Sequence, residues 1–125
     1  MKINNINSIS FGYNSVLKKD WKKGLLPTVQ KGFYGDTLTK NNISLEHLIP
    51  HSQGGKTQLN NLVLASKDKN MLRGTNPLNL FITKDTVQAY LDQFVGITTK
   101  HFDGNTYIQA IIKTLKMLGI DLTQL

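Results

Sequence analysis

The sequence predicts a mixed α+β fold, on three observations. Two short apolar runs, at Ile43 to Ile49 and Leu62 to Leu64, have strand length and are bounded by polar residues and a proline. A segment with helix-start chemistry follows the second run directly. The C-terminal third carries two apolar stripes at helical spacing. The central order is therefore strand, loop, strand, helix, with a helical pair behind it.

In chain order, residues 1–14 are asparagine-rich and aperiodic, and are expected to form a flexible lead-in; residues 15–125 are expected to form one domain. Val16, Leu17 and Trp21 can share one face of a short helix from Ser15 to Lys23, ended by Gly24 and Pro27. The stretch GFYGDTLTKNN reads as extended, turning at Lys40, Asn41 and Asn42. The strand from Ile43 to Ile49 stops at Pro50, and Gly54 and Gly55 make the following loop flexible. Ser66 can cap a helix that carries Asp68, Asn70, Leu72 and Arg73, with Gly74 just past its end. Farther on, Val87, Tyr90, Leu91 and Phe94 recur at i, i+3, i+4, i+7 before Gly96. Ile108, Ile111, Ile112, Leu115 and Leu118 repeat the pattern before Gly119. Both stripes are expected to be core faces.

Composition narrows the function. The 125 residues carry a formal net charge of +7, supplied almost entirely by lysine, since Arg73 is the sole arginine. Such a balance favours a polyanionic partner, nucleic acid before an anionic membrane. The chain has no cysteine, which excludes disulfides and thiolate-held zinc and fits a reducing compartment. The N-terminus has no apolar run of signal-peptide length, and no segment reaches the length of a membrane span. A cytoplasmic protein with no membrane partner is the expectation.

The stretch SLEHLIPHSQGGKTQLNNLVLASKDKN, residues 44 to 70, concentrates the chemistry. Glu46 and His47 sit near the end of the first strand, Asn61 enters the second, and Asn70 lies on the helix. A phosphodiester repels nucleophiles and has a poor leaving group. A hard divalent ion on a carboxylate and an amide oxygen can neutralise it and steady the departing oxygen. Glu46 and Asn70 have those donors. His47 titrates in the range suited to deprotonating water, and Asn61 can help hold the segment that carries it. Adjacent strand residues face opposite ways, so a twisted strand end near Pro50 is needed for Glu46 and His47 to cooperate.

These residues resemble the HNH nuclease motif of the ββα-metal (His-Me finger) class. The family pattern is an acidic residue and His, two hydrophobics and Pro, a Ser and often a Gly pair, Asn-Leu-Val, then a final His or Asn. The chain has Glu46-His47-Leu48-Ile49-Pro50-His51-Ser52, Gly54-Gly55, Asn61-Leu62-Val63-Leu64 and Asn70. The spacing is similar to that in the HNH domain of RNA-guided CRISPR nucleases. The resemblance implies an α+β fold with a ββα-metal core at about 30–75 and flanking helices, including a C-terminal pair at about 84–119. It implies His47 as general base, Asn61 as the residue fixing the His-bearing loop, and Glu46 and Asn70 as metal ligands. Mg²⁺ is the first expectation for the ion, with Mn²⁺, Ni²⁺ or Zn²⁺ as alternatives, and the partner is nucleic acid, with double-stranded DNA first. Family members braced by zinc place Cys-x-x-Cys pairs at positions matching Gly32 and Gly35, and Ser66 and Lys69; this chain has no thiol there. Bracing by packing is expected instead, with Phe33, Tyr34 and the C-terminal helices as candidates.

The plainer alternatives stand beside these roles. His47 alone would be a satisfied core histidine, Glu46 a solvated strand-end acid, Asn70 a helix-surface residue and Asn61 a turn residue. His51 is equally a phosphate-side group or an exposed loop residue. Lys56, Lys67, Lys69 and Arg73 surround the motif and are expected to contact nucleic acid as a group, although any one is more often solvated surface. His101, away from every motif, is expected to be structural. Two function classes result: a metal-dependent endonuclease, or a nucleic-acid-binding module that keeps the fold without turnover. A homodimer or an inhibitor protein remains open as a further partner.

Overall fold

The computed structural model describes residues 16–123; the asparagine-rich lead-in at 1–14 lies outside them. Four α-helices and two small antiparallel sheets make up the described chain, in agreement with the expected α+β class. Helix α1 spans Val16–Lys22, strand β1 Ile43–His47, β2 Leu62–Ser66, α2 Lys67–Arg73, α3 Lys84–Asp92, β3 Thr98–Thr99, β4 Phe102–Asp103 and α4 Gly104–Met117. Short 3₁₀ turns occupy His51–Gln53, Leu59–Asn61 and Leu78–Leu80.

β1 and β2 pair antiparallel, Glu46 opposite Val63 and His47 opposite Leu62. Every residue of β2 is buried, because the strand runs through the middle of the apolar cluster. A two-stranded sheet buried this deeply has two free edges, and buried backbone groups on them need partners. Side chains and a turn supply them on β2. The hydroxyl of Tyr107 donates to Leu62 O at 2.7 Å, Leu64 N donates to the hydroxyl of Tyr90 at 3.0 Å, and the two hydroxyls lie 2.8 Å apart. Phe33 N donates to Leu64 O, and Ser66 N donates to a carboxylate oxygen of Asp36. Thus α3, α4 and the turn around Phe33 together take the place of a third strand.

The turn itself differs from the extended reading of GFYGD. Gly32 N donates to Asp36 O, Gly35 N to Gly32 O, and Lys31 bridges Thr37, so the chain reverses here. Gly35 takes φ +82°, and a Cβ on Gly32 would collide with the Asp36 carboxylate. Phe33, fully buried, meets the rings of Tyr34 and Tyr90 edge-on at 5.5 Å each. Phe33 and Tyr34 thus do pack against the core beside the β hairpin.

Ser66 caps α2 as expected, its Oγ accepting from Lys69 N. The C-terminal helices are separate elements, with the β3–β4 hairpin between them unforeseen. α3 ends at Asp92, so Phe94 is buried from the turn that follows, not from the helix. On α4 the buried face is Tyr107, Ile111, Thr114 and Leu115, while Ile108 and Ile112 are half-buried and Leu118 is exposed. The stripe is rotated because Tyr107 and Thr114 turn inward to bond backbone carbonyls, Leu62 O and Asn60 O.

Candidate functional site

The site is built at the end of β1, where the chain leaves the sheet for a loop that returns as β2. Asn61 clamps that loop. Its Oδ1 accepts from Ile49 N at 2.8 Å, and its Nδ2 donates to Ile49 O and to Lys56 O, both at 3.0 Å. One side chain therefore fixes the point where the loop departs and the point where it comes back. Leu48 N donates to Asn61 O at 2.9 Å and extends the sheet register one step past β1. The glycine pair fits this geometry. Gly54 has φ +90°, and a Cβ on Gly55 would overlap Ile49 O, so the loop can fold back only with glycine there.

His47 is half-buried at the mouth of the loop. Its Nε2 lies 2.9 Å from Thr57 Oγ1, and its ring meets that of His51 edge-on at 6.4 Å. Partial burial, and then the charge of His51, hold its pKa below the usual histidine range. The imidazole is therefore the neutral, proton-accepting form over a wider span of pH.

Glu46 points to the opposite face and is buried. The Tyr34 hydroxyl donates to its Oε2 at 2.6 Å, and Arg73 Nη1 lies 3.5 Å from the same oxygen. Burial pushes the Glu46 pKa up, while Tyr34 and Arg73 pull it back. The same burial, and then Glu46 itself, raise Tyr34 far above the usual tyrosine value, so it remains a donor. Asn70 reaches this face from α2. Its Nδ2 donates to Leu45 O at 3.0 Å and to Ser44 Oγ at 3.2 Å. With the nitrogen fastened to β1, the amide oxygen, which has no hydrogen bond among the described residues, is the atom that can act as a ligand.

Arg73 corrects the sequence reading. It is 3% exposed, and its guanidinium donates to His47 O at 2.7 Å, Leu48 O at 3.0 Å and Asn76 O at 2.7 Å. These bonds and Glu46 occupy it inside the fold, so it is not among the surface cations that could meet phosphate. One helical turn beyond Asn70 it does share that residue's face, but the face is turned to β1. Lys56, Lys67, Lys69 and His51 are exposed.

Residues 32–76 match the family described as HNH endonuclease. This segment is similar to the HNH family. No curated protein and no solved structure matches the chain. The HNH segment runs from the Gly32 turn through both strands to the end of α2, so α1, α3 and α4 are additions outside it.

HNH proteins are in general endonucleases that use a divalent metal. The donor types of this segment, one carboxylate and one amide oxygen, suit a hard cation, while Arg73 and Tyr34 already engage one oxygen of that carboxylate. Among the described residues no group of three or more His, Asp or Glu side chains is arranged to hold a metal. An ion here would draw its other ligands from phosphate and water. A cleft of about 590 Å³ lies behind the loop, lined in part by Leu48, Pro50, Gln53 and Arg73; Glu46, His47 and Asn70 do not line it. Among the described residues no helix is long and apolar enough to cross a membrane.

Sequence reasoning passed over Thr57, the role of Tyr34 at Glu46, and Asp36. Thr57 carried no signal, being one polar loop residue among several. Asp36 had one: it follows the Gly32–Gly35 pair, where zinc-braced relatives would place a knuckle, and its carboxylate reaches Ser66. The bracing there is thus a hydrogen bond between the same two segments.

Proposed function

We propose that the protein is a metal-dependent endonuclease acting on DNA. The observation that carries this reading is the Asn61 clamp, which ties together the two ends of the loop that His47 begins, while β1 and α2 carry Glu46 and Asn70. His47, whose pKa partial burial and then His51 lower, accepts a proton from water as that water attacks phosphorus in line. Glu46 and Asn70 hold the divalent ion, Mg²⁺ or a relative; bound there, it supplies charge neutralisation at the phosphate and the leaving oxygen. The family resemblance implies 5′-phosphate and 3′-hydroxyl ends. Lys56, Lys67, Lys69 and His51 supply the phosphate contacts. The exposed basic groups around the loop suit a duplex backbone, and the whole of 15–125 acts as one domain in the cytoplasm.

The deciding experiment is plasmid nicking by the purified chain with Mg²⁺ and with EDTA, beside His47→Ala. Nicking that needs the ion and falls by about 100-fold or more in the variant supports the reading. Equal cleavage by the variant would sink it.

A second reading is favoured by one observation: Oε2 of Glu46 is already engaged by Tyr34 and Arg73. On that reading the chain binds nucleic acid without cutting it. It predicts salt-sensitive DNA binding and no nicking under any divalent ion.

A further inference from the structure

A histidine that takes a proton from water needs one nitrogen bare and aimed outward, and the other pinned. Among the described residues, the side-chain hydrogen bonds of Asn61 go to the loop backbone. Thr57 reaches the imidazole itself. Its Oγ1 lies 2.9 Å from His47 Nε2, while Nδ1 has no partner among the described residues. The clamp explains why that hydroxyl is there. Asn61 Nδ2 bonds Lys56 O, the carbonyl immediately before Thr57, and Gly55 N donates to Pro50 O at 3.0 Å just upstream. Residues 55 and 56 are thus tied to 50 and 61, and Thr57 is delivered to the ring by the same loop that His47 begins.

We infer that Thr57 is a positioning residue for His47: its hydroxyl accepts from Nε2–H, selects that tautomer, and leaves Nδ1 as the proton-accepting atom. The inference deepens the nuclease reading and rests on it for its consequence, though the hydrogen bond does not. A hydroxyl can serve as either donor or acceptor. The choice is decided by the surroundings of the other nitrogen. With no partner for Nδ1 among the described residues, that nitrogen keeps its lone pair for the attacking water only if the proton sits on Nε2. Asn61 then acts twice removed, by holding the loop that holds the threonine that holds the ring.

The test uses the full chain with Thr57→Val, which removes the hydroxyl at nearly constant shape, and Thr57→Ser, which keeps it. Long-range ¹H–¹⁵N spectra report which imidazole nitrogen of His47 bears the proton. The wild type and Thr57→Ser should show a protonated Nε2 and bare Nδ1, and Thr57→Val should move both resonances toward the tautomer-averaged position. Single-turnover plasmid nicking should fall about 10- to 100-fold in Thr57→Val, return in Thr57→Ser, and leave KM within about twofold. A wild-type chain protonated on Nδ1, or a Thr57→Val spectrum like the wild type's, overturns the assignment whether or not DNA is cut. So does an unchanged nicking rate in Thr57→Val. If the spectra shift as expected but the wild type nicks nothing under any divalent ion, the hydrogen bond stands and the nuclease reading fails, taking the positioning role with it.

Discussion

Arg73 Nη1 lies 3.5 Å from Oε2 of Glu46, and the same guanidinium donates to the carbonyls of His47 and Leu48. The one arginine of the chain thus ties α2 to the strand end that carries both the acidic residue and the histidine. Removing it would strand a buried carboxylate and three acceptors at once. Arg73→Leu is expected to cost about 3–5 kcal/mol in urea denaturation. The surface lysines should behave oppositely. Lys69→Ala should leave the urea midpoint nearly unchanged and reduce the salt slope of DNA binding by about 0.9. An Arg73→Leu variant with wild-type stability and a lowered salt slope would restore Arg73 to the surface cations.

Asn61 offers a sharper separation of structure from chemistry. Asn61→Ala removes three hydrogen bonds across the loop. The expected loss is about 2–4 kcal/mol of stability. Nicking by the folded fraction should drop by about 100-fold, since an ångström of displacement at the base has that effect. DNA affinity, carried by exposed lysines, should stay within about twofold. Loss of binding in step with loss of nicking would argue against a loop-holding role.

Asp36 is the polar brace between the Gly32 turn and the β2–α2 junction. One carboxylate oxygen accepts from Ser66 N, and Oδ1 is buried without a hydrogen-bond partner among the described residues. Asp36→Ala leaves a buried N–H unpaired and should cost about 1–3 kcal/mol. Hydrogen exchange should quicken first at Ser66 and its neighbours. Uniform protection in the variant would show that packing of Phe33 and Tyr34 suffices alone.

Tyr90 and Tyr107 give the fold an alkaline limit. Burial raises both hydroxyls far above the ordinary tyrosine value, and each hydroxyl also bonds β2. In the unfolded chain they ionise near pH 10, while in the folded chain they stay protonated. Above that pH the folded state binds more protons than the unfolded state, so stability falls as pH rises. Their contribution is complete below about pH 10 and is lost progressively above it. Urea midpoints at pH 8 and pH 11 should show the drop, and Tyr107→Phe should be less stable at pH 8 but lose less between the two. An equal drop in the variant would point to lysine deprotonation as the cause.

Much of the central segment was legible because its signals are local. The cap at Ser66, the stop at Pro50 and the glycines of the loop act within a few residues, and each occupies the conformation its chemistry suggests. Asn61 was readable as a loop-holder since its partners, Ile49 and Lys56, lie within 12 positions of it. Arg73 was misread because an arginine beside three lysines has the same local context whether it faces water or a buried carboxylate. Its partners at the end of β1, the carbonyls of His47 and Leu48, are 26 and 25 residues away.

The sequence by itself determined the strand–loop–strand–helix order and the placing of His47, Glu46, Asn61 and Asn70 along it, because periodicity, caps and turn residues act at short range. Only the tertiary structure decided which of these polar groups face one another. Glu46 meets Tyr34 and Arg73, His47 meets Thr57, and the edge of β2 is completed by Tyr90, Tyr107 and Asp36. The physical reason is that a buried polar group must find a partner somewhere, and the chain's path through space, not its spacing along the sequence, determines which group is within reach.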